Sequence, residues 1–381
     1  MASQETKRGA DRPGETTAAH VIDRRQFLQY TGTVLGGVTL ASAAQAARAA
    51  SHDLASTSGR GGNGSVATAR PLVRVAADPS RIPPPITRRR PAVVPVTLEA
   101  REVMAEIEPG VRFRFMTYNG QIPGPFIRVR EGDTIDLTFR NPRTNTEAHN
   151  VDFHAAMGPG GGALATWTEP GEEAHLRFRA SYPGAFIYHC AVSNMDMHIS
   201  SGMFGLILVE PKKGLPRVDR EFYLGQHEIY TNKPAGLPGE HDFDVGAMVR
   251  EEPSYVVING AARGLTPKRY GAMHVRTGST ARVYFVVGGP NLSSSFHPIG
   301  NVWHELWPEG SVINAPLRFI QTYAVPPGST TVATLRFPVA GDVKLVDHAL
   351  TRVVHQGCLA VIHAEGAHDP TLFQAGGRRQ L

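Results

Sequence analysis

From about Val96 onward, apolar and polar residues alternate along the chain with a period of two. "VRFRFMTYNG", "FIRVREGDTIDLTFRN" and "EEAHLRFRAS" each present one apolar face, the pattern of half-buried strands. After "GLILVEPKKGLP" a second series follows: "REFYLGQHEIYT", "PSYVVINGA", "ARVYFVVGG", "TTVATLRFPV" and "GCLAVIHAEG". Both series contain a Gly/Pro turn, then a strand, then a histidine: "YPGAFIYHC" and "VAGDVKLVDH". That recurrence predicts two β-sandwich domains of similar topology.

The flanks break the pattern. Residues 47–94 are rich in Ala, Ser, Gly, Arg and Pro and read as a linker plus an extended lead-in, outside any core. Residues 366–381 read as a surface tail. Asp23-Arg24-Arg25-Gln26-Phe27-Leu28 precedes a mildly apolar run, Val34–Ala46, that ends in "ASAAQA". Segment 1–46 thus resembles a twin-arginine signal, which exports folded proteins and here implies the periplasm.

A length of 381 residues leaves room for two domains of about 150 residues each. The 40 glycines and 29 prolines favour an all-β chain. The formal charge of +5 is mild, and no basic stripe is interleaved with aromatics, so nucleic acid is not implied. Cys190 and Cys358 are the only cysteines, and no Cys-x-x-Cys-His motif attaches a haem.

Chemistry concentrates at His189-Cys190. His198 follows eight residues after the cysteine, Met203 five further on, and His149 lies upstream in "HNVDFH". A thiolate, two imidazoles and a thioether form the donor set of a blue-copper electron-transfer centre. If "FIYHC" is a strand, Cys190 and His189 point to opposite faces, and His149 and His154 diverge likewise. Asp152 and His154 then share a face with room for a second metal. A plain electron carrier needs one such site, whereas two joined through adjacent residues suit a redox enzyme. The second domain offers His297 and His348 to complete the second site. His348 stands where the repeat places His189-Cys190, making it the better ligand candidate and freeing His297 as a catalytic imidazole. The loop Gly158–Glu172 resembles a phosphate-cradling loop only in glycine content.

"HNVDFHAA", "GAFIYHCAV", "MHISSGMFGLILVEP", "GGPNLSSSFHPIG" and "LVDHALTR" together resemble copper-containing nitrite reductase, from about residue 95 to 365. The eight-residue step from Cys190 to His198 resembles the branch with the shorter ligand loop. The resemblance implies two tandem cupredoxin-like Greek-key β-sandwich domains, 95–213 and 214–365. It implies two coppers per chain: type 1 on His149, Cys190, His198 and Met203, and type 2 on His154, His189 and His348. It also implies a homotrimer in which His348 reaches the site of a neighbouring chain. Asp152 and His297 match the family's proton-donating pair, and Ile299 the apolar residue that shapes the nitrite pocket. Pro298, between them, is a local variation. The implied reaction takes nitrite, one electron and two protons to nitric oxide and water. The donor would be a small cupredoxin or a cytochrome c. A two-domain laccase needs His-x-His pairs, which the chain lacks, and Ala191 stands where a His-Cys-His motif would continue. A non-catalytic carrier would leave Asp152, His154, His297 and His348 without roles.

Overall fold

Alternation becomes strand pairing over residues 73–377, the part of the chain that the computed structural model describes. The twin-arginine-like segment and residues 47–72 lie outside the described residues. The first series forms β1 (Val93–Glu108), β2 (Val111–Tyr118), β3 (Ile127–Arg130), β4 (Thr134–Asn141), β5 (Asp152–Phe153), β6 (Glu172–Arg179), β7 (Gly184–His189) and β8 (Phe204–Glu210). The second forms β9 (Arg220–Ile229), β10 (Gly239–His241), β11 (Tyr255–Ile258), β12 (Met273–Arg276), β13 (Thr280–Gly289) and β14 (Ser294–Ile299). It continues with β15 (Trp303–Trp307), β16 (Leu317–Ile320), β17 (Tyr323–Val325), β18 (Ser329–Arg336), β19 (Gly341–Asp347) and β20 (Leu359–Glu365). Three short helices, α1 (Met195–Ser200), α2 (Val245–Val249) and α3 (Leu350–Val354), sit in the connections. Among the described residues, no helix is long and apolar enough to cross a membrane.

The strands form four sheets, ordered β10-β2-β1-β4-β6, β3-β8-β7-β5, β11-β9-β13-β18-β15-β16 and β12-β20-β19-β14-β17. The second pair of sheets repeats the first. β1–β4 and β9–β13 are both parallel, as are β3–β8 and β12–β20. β7–β8 and β19–β20 are both antiparallel. β7 ends at His189 with Cys190 next, and β19 ends at Asp347 with His348 next. The chain is all-β, as its pattern predicts.

Period two decides which core each side chain enters. Along β8, Ile207 and Val209 join the interior of the first sandwich, while Phe204, Leu206 and Leu208 join a second apolar layer. That layer also takes Tyr223 and Ile229 of β9, Tyr284 and Val286 of β13 and Val332 of β18. It therefore lies between the sandwiches, and the sheet of β7 and β8 is buried on both faces. Truncating a phenylalanine such as Phe204 in such a layer costs about 3–5 kcal/mol.

Two features depart from the sequence expectation. Val75, Ala76 and Ala77 of the lead-in are buried, and Val75 belongs to the layer between the sandwiches. Ala77 N–H donates to Ile122 O at 2.9 Å, Ile122 N–H to Val75 O at 2.8 Å, and Tyr223 N–H to Pro79 O at 2.8 Å. The lead-in is thus stitched to both sandwiches by backbone bonds that composition does not reveal. β10, from the second series, pairs with β2 of the first. It covers an edge that would otherwise expose unpaired backbone.

A buried ion cluster joins the halves. Arg128 of β3 donates from Nε to Glu210 at 2.5 Å and from Nη1 to Glu221 of β9 at 2.7 Å. Arg282 of β13 reaches the same Glu221 at 3.0 Å. Burial raises the Glu221 carboxyl pKa, but its bonds to Arg128 and Tyr284 outweigh this and hold it below the usual carboxylate range.

Candidate metal centres

His149, Cys190 and His198 converge, with their ligand atoms all within 4.8 Å of one another. Cys190 follows the last residue of β7 and faces the first sandwich's interior with Met203. Both are fully buried. His198 comes from α1, where Cys190 Sγ lies 3.5 Å from its Nδ1. Backbone bonds close the loop: Cys190 N–H to Met203 O at 3.1 Å and Met203 N–H to His198 O at 3.0 Å.

The surroundings prepare this set for a cation. His149 Nε2 faces Glu102 Oε1 at 3.3 Å, and its Nδ1 is buried without a partner. A carboxylate behind a ligand imidazole fixes the tautomer and leaves the other nitrogen free to bind. Burial raises the Glu102 carboxyl, but hydrogen bonds from His149 and Thr146 pull it down to about 2, so it is anionic. Burial, with His149 nearby, lowers His198 to about 3, keeping its imidazole neutral. Burial pushes the Cys190 thiol up to about 11, with backbone N–H contacts opposing it. Metal binding must therefore supply the charge that makes Cys190 a thiolate. An orphaned buried nitrogen beside a soft sulfur fits copper.

Sequence reading missed several supporting residues. Asn150 Oδ1 accepts Ala191 N–H at 2.6 Å and the Cys190 thiol at 3.6 Å, tying β7's end to the segment that carries His149. α1 is pinned to the second sandwich, because His227 Nδ1–H donates to Ser200 O at 2.9 Å and Ser200 Oγ–H to Glu228 O at 2.9 Å. Adjacency to His149 and Ser200's place in the ligand loop were the available signals.

On the other face of β7, Asp152, His154 and His189 form a second group with ligand atoms within 4.8 Å. β5 pairs Asp152 opposite His189. His189 Nδ1–H donates to Cys190 O at 3.0 Å, which leaves its Nε2 free, 3.0 Å from His154 Nε2 and 3.9 Å from Asp152 Oδ2. Partial desolvation of its ring, part of which stays exposed, and the neighbouring His189 lower the His154 pKa, against Asp152, which raises it. Two imidazole nitrogens beside a carboxylate oxygen fit a metal.

The glycine-rich loop finds its place here. Gly160, Gly161 and Gly162 all have positive φ, and a Cβ at Gly161 would overlap Asp152 Oδ1 and lie 2.9 Å from Phe153 O. The loop cradles a carboxylate rather than a phosphate. Gly161→Ala is expected to displace Asp152 and lower turnover at this site about tenfold or more while both donor sets keep their metal. Turnover and copper content on the same sample check this.

His297 and His348 lie together in the second sandwich, ring centroids 5.0 Å apart at 76°. His297 Nδ1–H donates to Gln321 O at 2.7 Å. Neither joins the two groups above within the chain. Ile299 is 39% exposed at the end of β14. Pro298 lies where β14 has a neighbour on one side only, since β17 pairs just Ser294–Phe296.

Two stacked β-sandwiches carrying a Cys/His₂ donor set back to back with a His/Asp set define a copper oxidoreductase of the cupredoxin type. The multicopper oxidase family profile matches residues 99–214. A copper-containing nitrite reductase of Neisseria meningitidis serogroup B is 44% identical over 293 residues, covering 77% of this chain and 74% of that protein. One from Alcaligenes xylosoxydans xylosoxydans is 35% identical over 294 residues, covering 73% and 88%. The solved copper nitrite reductase of Nitrosomonas europaea superposes with a TM-score of 0.65 at 35% identity, covering 73% of this chain and 96% of that one. The chain belongs to the copper-containing nitrite reductases.

Proposed function

We propose that this nitrite reductase takes one electron and two protons per nitrite and releases nitric oxide and water, using two coppers per chain. The carrying observation is the peptide between Cys190 and His189. It joins a buried sulfur donor set on one face of β7 to an imidazole pair on the other. His149, Cys190, His198 and Met203 would hold the copper that takes up the electron, and the single peptide from Cys190 to His189 would be its path to the second set. His154, His189 and His348 would hold the second copper, which would supply nitrite with an electron and with Lewis-acid polarisation. Asp152 stands beside that pair to hold a proton toward the departing oxygen, and His297 supplies the second. Ile299 limits the pocket's apolar wall.

His348 would come from a neighbouring chain of a homotrimer. In support, His154 and His348 are exposed, as are Met157, three residues after the first, and Ile299, two residues after His297. Buried against another subunit, these apolar residues would bring the two incomplete sites together. Met195, exposed on α1 near His198, offers an apolar landing point to a small cupredoxin or cytochrome c donor. The Arg24-Arg25 pair supports work in the periplasm.

Electron paramagnetic resonance on copper-loaded protein tests the reading. Two copper signals are expected, at two coppers per chain, of which only the one without thiolate character shifts on adding nitrite. A single signal indifferent to nitrite would overturn it.

A further inference from the structure

Gln226 of β9 is fully buried, at a depth where sandwich interiors are apolar. Its Oε1 accepts Ser294 Oγ–H at 2.8 Å and the Cys358 thiol at 3.4 Å, and its Nε2–H donates to Asp347 Oδ2 at 3.0 Å. Asp347 is 0% exposed. A carboxylate so placed needs every lone pair satisfied. Besides Gln226 it accepts Arg352 Nη1–H at 2.6 Å, Ser295 N–H at 3.0 Å and Ala349 N–H at 3.1 Å.

Two of those donors flank the outlying histidines. Ser295 lies two residues before His297, and Ala349 directly after His348. His348 N–H in turn donates to Ser295 O at 2.7 Å. The backbone of Ser295 is thus held by Asp347 at its N–H and by His348 at its carbonyl. β19 ends at Asp347, so His348 lies beyond the regular ladder. There the carboxylate does the work that strand pairing no longer does.

We infer that Asp347 is the positioning residue that sets the spacing and angle between the His297 and His348 rings. The inference rests on the reading in which His348 binds the second copper and His297 donates a proton. Asp347 touches neither nitrite nor metal. It acts through the two backbone segments that it clips, and Gln226 anchors the clip to β9. Misplacing a reacting group by about 1 Å can cost on the order of 100-fold in rate, which makes such a clip worth a buried charge.

Asp347→Asn tests this in the full-length, copper-loaded protein. The amide offers one oxygen in place of two and turns an N–H₂ toward existing donors, so one side of the clip must open. The readouts are copper retained against a chelator, the resonance parameters of the nitrite-responsive signal, and the pH profile of turnover. The expected result is an unchanged thiolate-copper signal, a second copper held about tenfold or more weakly with altered parameters, and a shifted pH profile. Wild-type retention, parameters and profile would overturn the inference, even if the variant unfolds more easily. If Asp347→Asn yields no folded protein, Arg352→Gln removes one donor from the same carboxylate and is judged by the same two outcomes. Wild-type protein lacking a nitrite-responsive signal would overturn the underlying reading and the inference with it. That signal in the wild type with an unchanged variant overturns the inference alone.

Discussion

Cys190→Ala is expected to abolish the thiolate-copper signal and to lower nitrite turnover by more than about 100-fold. The bound is conservative, because even partners standing behind a ligand are worth ~10–100-fold in affinity or activity. Cys190 is the only sulfur anion available to the first donor set, since Cys358 is buried in the second sandwich and its thiol pKa is raised by burial. Without the thiolate, only the imidazoles of His149 and His198 and the Met203 thioether remain, and the peptide to His189 has no thiolate behind it. The fold should survive, because the loss is one small buried atom, a change of about 1 kcal/mol. The His154–His189 pair stays on the opposite face, so the nitrite-responsive signal should persist. Absorption, resonance and steady-state turnover on one preparation check the three parts. Turnover within a few fold of wild type would refute the proposed electron path.

Arg128→Leu is expected to be the most destabilising single substitution outside the apolar layers, by about 3–5 kcal/mol. Its guanidinium is 1% exposed and serves Glu210 and Glu221, whose side chains are 3% and 14% exposed. Leucine leaves both carboxylates buried with Glu221 keeping only Arg282 and Tyr284. The pH dependence follows from sign. In the wild type, Glu221 titrates below its unfolded value, so its contribution is present above the usual carboxylate range and lost as pH falls through the depressed value. In the variant, burial without that partner raises the same group, and protonation relieves the penalty. The stability gap should therefore be widest at neutral pH and narrow on acidification. Urea unfolding of both proteins at neutral and mildly acidic pH measures it. A constant gap would mean that the arginine acts through packing alone.

Much of this architecture is legible in the sequence, because period two is a local signal. The strand β7 could be read residue by residue, as could the opposed faces of His189 and Cys190. What escapes is whatever depends on distant approach. Glu102 reaches His149 from β1, 47 positions away in the chain. Val75 is buried only because two sandwiches meet around it. Gly161 looks like generic loop glycine until Asp152 is set against it. Asp347 reads as one more polar residue before a histidine, although its four donors come from β9, β14, the turn into α3 and α3 itself. Polar residues at strand ends and glycines beside carboxylates carry no periodicity, so pattern alone gives them no weight.

The sheet of β7 and β8, apolar on both sides, has a consequence for modularity. By composition the first sandwich could stand alone as a small blue-copper carrier, cut after residue 213. Excised there, Phe204, Leu206 and Leu208 would face water as one continuous stripe, and Glu210 would keep its guanidinium but lose the β9 half of the cluster. Such a fragment would present a sticky surface rather than a soluble module. The repeat recorded in the sequence has become a single unit that can no longer be divided at its seam.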